Sequence, residues 1–382
     1  MGCLNPGGLA RLRSVLQSHV DRQRIPGAVA VVALGGHVEL FEALGRRDPA
    51  AGTPMQGGAI FRIYSMTKPL VSLAALMLME EGRLQLGDAV ATYLPEFARQ
   101  QVAVDEGGSV RLEPARREAT VHDLLRHTAG LTYEFLGSSA VQRQYEATQI
   151  ASRSRSNAEF CKALAALPLA HQPGSRWEYS RATDVLGALL EVVAAQPLGE
   201  LLQERILAPL GMKDTAFAVP EDSWDRIAQP FPNDPDSGEP VNMLDGREVP
   251  RFESGGGGLL STADDYVRFL QFMRNRGTLE GCRLVSRKTI DWMTSDHLGA
   301  IPIQGELLLP GYGFGLGFAV RTHAGLAPQP GSPGQYFWSG IGGTSFFVDP
   351  AEDLFAMLLT QAPGQRIYYR NMFRQLVYAA LD

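Results

Sequence analysis

Apolar, valine-rich runs of strand length sit near both ends of the chain, and the long stretch between them reads mostly as helix. Gly27–Leu34 and residues 38–44 are two such runs, parted by Gly35-Gly36-His37, which is a hairpin signal. Residues 312–320 alternate aromatic or aliphatic residues with glycine, and the short apolar runs 344–348 and 354–360 are joined by the turn Asp349-Pro350. Between these ends, residues 66–82 carry Leu70, Leu73, Leu76, Met77 and Met79 at helical spacing, and residues 182–195 carry a second such pattern. Thr120-Val-His-Asp123 has the form of a capping box, and Ser261-Thr-Ala-Asp264 opens a helix running to about Arg274. An amphipathic helix is expected at 8–23 and a closing helix at 366–381. Strands from both termini share one antiparallel sheet most simply if the middle is an insertion. The expected fold is therefore α+β. Residues 1–95 and 255–382 would form a discontinuous sheet domain, and 96–254 a mostly helical one. Residues 229–258, rich in Pro, Asp and Gly, read as a long irregular loop at the rim of a cleft between them.

Composition removes several function classes. The net charge is −6 and no Lys/Arg stripe is present, so no nucleic-acid partner is expected. No apolar run is long enough to span a bilayer, so no membrane partner is expected either. The first residues, Met1 to Arg13, lack a basic segment followed by an apolar one and read as no secretory leader. Cys3, Cys161 and Cys282 are odd in number and widely spaced, without a metal knuckle or disulfide framework, which fits a reducing cytoplasm. Oligomeric state is not legible. The 35 basic residues comprise 31 arginines and only four lysines, at 68, 162, 213 and 288. Arginine keeps its proton under working conditions and a buried lysine need not, so a lysine in a suggestive place carries information.

Lys68 is in such a place. It lies three residues after Ser65 in Phe61-Arg-Ile-Tyr-Ser65-Met-Thr-Lys68, at the head of the 66–82 helix, so the two share a face. A serine hydroxyl is a weak nucleophile until a base removes its proton, and a desolvated lysine amine is such a base. A helix-capping Ser65 with a solvent-facing Lys68 would leave the same trace. The second element is His171-Gln-Pro-Gly-Ser-Arg-Trp177-Glu-Tyr179-Ser-Arg181, where Tyr179 is a phenol able to relay protons; a half-buried structural aromatic reads the same way. The third is Phe337-Trp338-Ser339-Gly340-Ile341-Gly-Gly343, a strand edge whose glycines admit a ligand, or a plain β-bulge. One of its main-chain N–H groups would pair with that of Ser65 to hold an oxyanion. No G-x-S-x-G, phosphate-cradling loop or H-E-x-x-H is present, and the seven histidines read as structural. His127 is expected to make a local hydrogen bond holding the loop Thr128-Ala-Gly130.

Taken in order, these elements resemble the serine β-lactamase and penicillin-binding-protein superfamily, and most closely its class C-like branch with the family VIII carboxylesterases. Leu124-Leu-Arg-His-Thr-Ala-Gly-Leu131 and Gly256-Gly-Gly-Leu259-Leu-Ser-Thr-Ala-Asp264 add two more matching segments, so the likeness runs along nearly the whole chain. The resemblance implies a β-lactamase/transpeptidase-like fold. It makes Ser65 the acylated nucleophile, Lys68 its activator, Tyr179 the proton shuttle, and the N–H groups of Ser65 and Ile341 the oxyanion hole. No metal or organic cofactor is implied. Trp338 stands where β-lactamases of this branch carry a lysine, and Arg181 where they carry an asparagine. With Ser339 and Gly340, these are the expected substrate-binding residues, and Trp338 suits a neutral group better than a carboxylate. The expected activity is hydrolysis of short-chain carboxylic esters, a small-molecule substrate class. The alternatives are a β-lactamase or D-Ala peptidase, an acyltransferase, and, least favoured, a non-catalytic binding protein of the same fold.

Overall fold

Gly35 and Gly36 take φ of +60° and +86°, the left-handed pair a tight hairpin needs. They join β1 (Gly27–Leu34) to β2 (His37–Asp48), which continues to a short edge strand, β3 (Thr53–Pro54). The chain is described by a computed structural model at residues 2–107 and 110–382. Met1, where the segment read for a leader begins, lies outside the described residues.

The last third of the chain supplies β4 (Tyr312–Phe314), β5 (Ala319–Arg321), β6 (Tyr336–Ser339), β7 (Ser345–Asp349) and β8 (Leu354–Thr360). All eight strands form one sheet in the order β4-β5-β6-β7-β8-β1-β2-β3, antiparallel throughout. The two ends of the sequence meet where β1 pairs with β8, with Val31 opposite Met357. Both strands are buried along nearly their whole length, because helices cover both faces. Adjacent residues on β7 show this, since neighbours on a strand point to opposite sides. The Phe346 ring meets Tyr266 of helix Ala263–Arg274, while the Phe347 ring meets Tyr378 of helix Arg366–Tyr378.

Three local features take their definition from the structure. The alternating residues 312–320 fall in two strands, because Gly317 at φ +100° lets the chain reverse between β4 and β5. The cap of helix Ala263–Arg274 is Thr262, whose side chain accepts from the Asp265 amide, while Ser261 belongs to a two-residue strand. Helix 66–82 is helix Thr67–Glu80, preceded by the 3-10 turn Tyr64–Met66. Every residue from 67 to 78 in that helix is buried, as expected of a helix apolar all round.

Residues 229–258 form no regular element beyond an isolated bridge between Asn233 and Pro240. Their end is fastened to the lead-in of the Ser65 segment, where Phe61–Arg62 pairs with Leu260–Ser261. No single helix among the described residues is long and apolar enough to cross a membrane. The pair Ala182–Ala194 and Leu198–Leu210, apolar enough together, is bent by 79°.

Candidate active site

Ser65 sits in the turn that starts the buried helix. The residue before it, Tyr64, has φ +44°, a left-handed conformation unusual for an aromatic side chain. The Tyr64 hydroxyl accepts the Leu244 amide at 3.0 Å, which ties this turn to the long loop. The amide of Ser65 lies in the first turn, where an N–H has no partner within the helix.

Lys68 is fully buried rather than facing solvent. Its Nζ lies 3.4 Å from Ser65 Oγ, 2.9 Å from Tyr133 Oη and 2.7 Å from the Gly256 carbonyl. Burial is the chief cause that lowers its pKa from 10.5 to about 7; Asp184 opposes the shift and Arg181 adds to it. Three oxygens surround Nζ, the number of donors an ammonium carries. The Gly256 carbonyl, the Tyr133 oxygen and Ser65 Oγ are each placed to accept from Nζ, and once the amine has lost one proton its lone pair can instead accept from the Ser65 hydroxyl. Asp184, itself buried, holds the Gly256 amide at 2.9 Å and is ion-paired with Arg181.

Tyr179 is positioned by the neighbouring segment. The amide of Glu178 donates to the His127 carbonyl at 3.0 Å, and that of Arg181 donates to Thr132 at 3.2 Å. The His127 ring does not hold its own loop as expected. It is buried, pairs with Ser180 Oγ at 3.2 Å across 53 residues of sequence, and packs on the Tyr179 ring at 4.9 Å. Burial, and then the Lys68 charge, push its pKa well down, so it is a neutral spacer. Burial pushes the Tyr179 phenol up, and contacts with Ser65 and Trp338 offset part of this. Trp338 does more than form a wall: its Nε1–H donates to Tyr179 Oη at 3.2 Å.

The end of β6 approaches the Ser65 turn because residue 340 is glycine. A Cβ there would lie 2.4 Å from Thr344 Oγ1 and 2.5 Å from the Ile63 carbonyl. The turn that follows presents the Ile341 amide, which donates to no acceptor among the described residues. Ser65, Tyr133, Tyr179, Trp338, Gly340 and Ile341 line one cavity of about 520 Å³, and Ser339 and Arg181 also reach it. The Arg181 guanidinium, however, is engaged by Glu134 and Asp184 and lies 4.6 Å from the Tyr133 ring.

Sequence reasoning passed over three members of this site. Tyr133 lies two residues beyond the matching Leu124–Leu131 segment, so its place in the chain was a usable signal. Gly256 acts through its carbonyl, which leaves no side-chain trace. Asp184 reads as one more helix residue until its burial is seen.

The beta-lactamase family model matches residues 12–379. Over 98% of its length the chain is 37% identical to Esterase EstB of Burkholderia gladioli, covering 94% of that protein. Among solved structures it is similar to EstCE1, described as a hydrolase with promiscuous acyltransferase activity, at TM-score 0.81 and 29% identity, covering 97% of this chain and 98% of that one. It is also similar to simvastatin synthase (LovD) from Aspergillus terreus, at TM-score 0.80 and 25% identity over 97% and 98% of the two chains. With the sheet, the buried helix and the family match agreeing along almost its full length, the chain belongs to the beta-lactamase family.

Proposed function

We propose that this chain is a carboxylesterase of the family VIII type, cleaving short-chain esters through an acyl-enzyme on Ser65. The observation that carries this is Lys68, fully buried and 3.4 Å from the Ser65 hydroxyl, with its pKa lowered to about 7. At neutral pH a large fraction of such amines is free to accept a proton.

The ester carbonyl oxygen would sit between the N–H groups of Ser65 and Ile341. Lys68 takes the hydroxyl proton as Ser65 Oγ bonds to the carbonyl carbon, and the two N–H groups hold the resulting oxyanion. When the intermediate collapses, the ester C–O bond breaks and the leaving alkoxide needs a proton. Tyr179 gives it from the phenol that burial keeps protonated, and the Lys68 ammonium restores it. The Trp338 N–H eases this step by donating to the phenol oxygen as negative charge grows there. Water then enters and the same groups run in reverse. Trp338, Ser339 and Gly340 contact the substrate, whereas Arg181 acts by holding Glu134, Asp184 and the Tyr133 ring in place. The three free thiols fit a cytoplasmic location.

Acyl transfer to an alcohol is the second reading, supported by the likeness to EstCE1. Turnover of 4-nitrophenyl butyrate that vanishes in Ser65→Ala, with much slower turnover of nitrocefin, is the expected result. Equal turnover in Ser65→Ala overturns the proposal. Ester exchange outrunning hydrolysis when alcohol is added would make acyl transfer the better description.

A further inference from the structure

Apart from tyrosines, the ionisable side chains lining the cavity are Arg153, Arg181, Arg366 and Arg370, with no carboxylate among them. This runs against a chain whose net charge is −6. Three of the four are occupied. Arg181 holds Glu134 and Asp184. Arg153 donates to the carbonyls of Asp245 and Glu248 at 2.7 and 2.8 Å. Arg366 donates to the Pro363 carbonyl at 2.6 Å. Arg370 makes no side-chain hydrogen bond or ion pair among the described residues, and its Nε is buried without an acceptor.

The surroundings of Arg370 add further positive charge. Arg366 and Arg370 occupy the first turns of helix Arg366–Tyr378, four residues apart and so on one face. The positive end of the helix dipole disfavours cations there. Burial, and then the charges of Arg374 and Arg366, lower the Arg370 pKa to about 10. Arg374, one turn further, is taken up by the Tyr312 hydroxyl and the Phe337 ring. Arg370 is partly buried: its Nε is enclosed without an acceptor while the residue lines the cavity, and a carboxylate matches the fork of its guanidinium.

We propose that Arg370 anchors a carboxylate carried by the substrate, so that the site selects esters bearing an anionic group. The cation missing at position 338 is thereby supplied from the C-terminal helix. The substrate class presupposes the esterase chemistry proposed above; the anion subsite itself is testable without it.

Two matched pairs of esters distinguish where the carboxylate sits. Mono(4-nitrophenyl) glutarate against 4-nitrophenyl pentanoate places it on the acyl side. 4-Acetoxybenzoate against its methyl ester places it on the alcohol side. In Arg370→Met the charged-to-neutral ratio of kcat/KM should fall at least about tenfold in one pair, through KM, while Arg370→Lys, which keeps the charge but not the fork, falls less. A ratio within about twofold of wild type in both pairs overturns the inference, as does an equal fall in Arg370→Lys. Should no ester be hydrolysed, the esterase proposal fails separately, and calorimetry with glutarate on Ser65→Ala decides the subsite. Binding weakened at least about tenfold by adding Arg370→Met supports it, and unchanged or absent binding overturns it.

Discussion

Replacing Lys68 with methionine removes the amine while keeping most of the aliphatic volume, and it isolates what burial of this charge does to stability. The folded pKa is about 7 against an ordinary value of 10.5. Between these values the unfolded chain binds more protons than the folded one, so the wild type gains stability as pH rises through that window. Below pH 7 the penalty is fully present, and above 10.5 it is gone. The lowered pKa costs the folded state about 4 kcal/mol at pH 7 and about 2 kcal/mol at pH 9. Lys68→Met lacks this term, while every other titrating group is shared. Wild type should therefore gain about 2 kcal/mol relative to Lys68→Met between pH 7 and pH 9. The variant also leaves the Gly256 carbonyl and Tyr133 hydroxyl without their partner, an offset of about 1–3 kcal/mol each. That offset is nearly independent of pH over the range and cancels from the comparison. Equilibrium urea unfolding of both proteins at the two pH values measures the change. A stability difference that is the same at pH 7 and pH 9 would mean that Lys68 stays protonated in the fold, and the base assigned to Ser65 would be lost.

Three further outcomes follow from the same geometry. Trp338→Phe removes the N–H donated to Tyr179 Oη and should lower kcat about tenfold to a hundredfold, with KM for a small ester little changed. Gly340→Ala drives a Cβ into the Ile63 carbonyl and should lower kcat about a hundredfold by moving the Ile341 amide, with a lower melting temperature measured alongside. The kcat/KM profile for 4-nitrophenyl butyrate should fall tenfold per pH unit below about 7 and level off above it, because the free amine is the working form.

The parts of the molecule that show in the sequence are those governed by short-range periodicity. Val-rich β1, the glycine hairpin and the buried helix after Ser65 each carry their own pattern. The expected antiparallel sheet with flanking helices is present, closed where β1 meets β8. What stayed hidden depends on contacts distant in the chain. The sequence cannot tell that His127 reaches Ser180 rather than its own loop, because either partner satisfies one ring nitrogen. Nor can it tell that Arg181, in the substrate-binding set, is taken up by Glu134 and Asp184. The reversal within 312–320 does not show in the sequence, because alternating glycine and aromatic residues look alike on either side of it until the φ of Gly317 is known. Arg370 looks like any surface arginine of an amphipathic helix, and only the cavity beside it makes its lack of partners meaningful.

With only four lysines in the chain, carbon-13 labelling at lysine Cε gives a spectrum of four signals, and Lys68→Met assigns the relevant one. Titrated between pH 5 and 11, the Lys68 signal should turn over near 7, about three units below an ordinary lysine. A midpoint near 10 for all four signals would leave Ser65 without a base at neutral pH and contradict the account at its root.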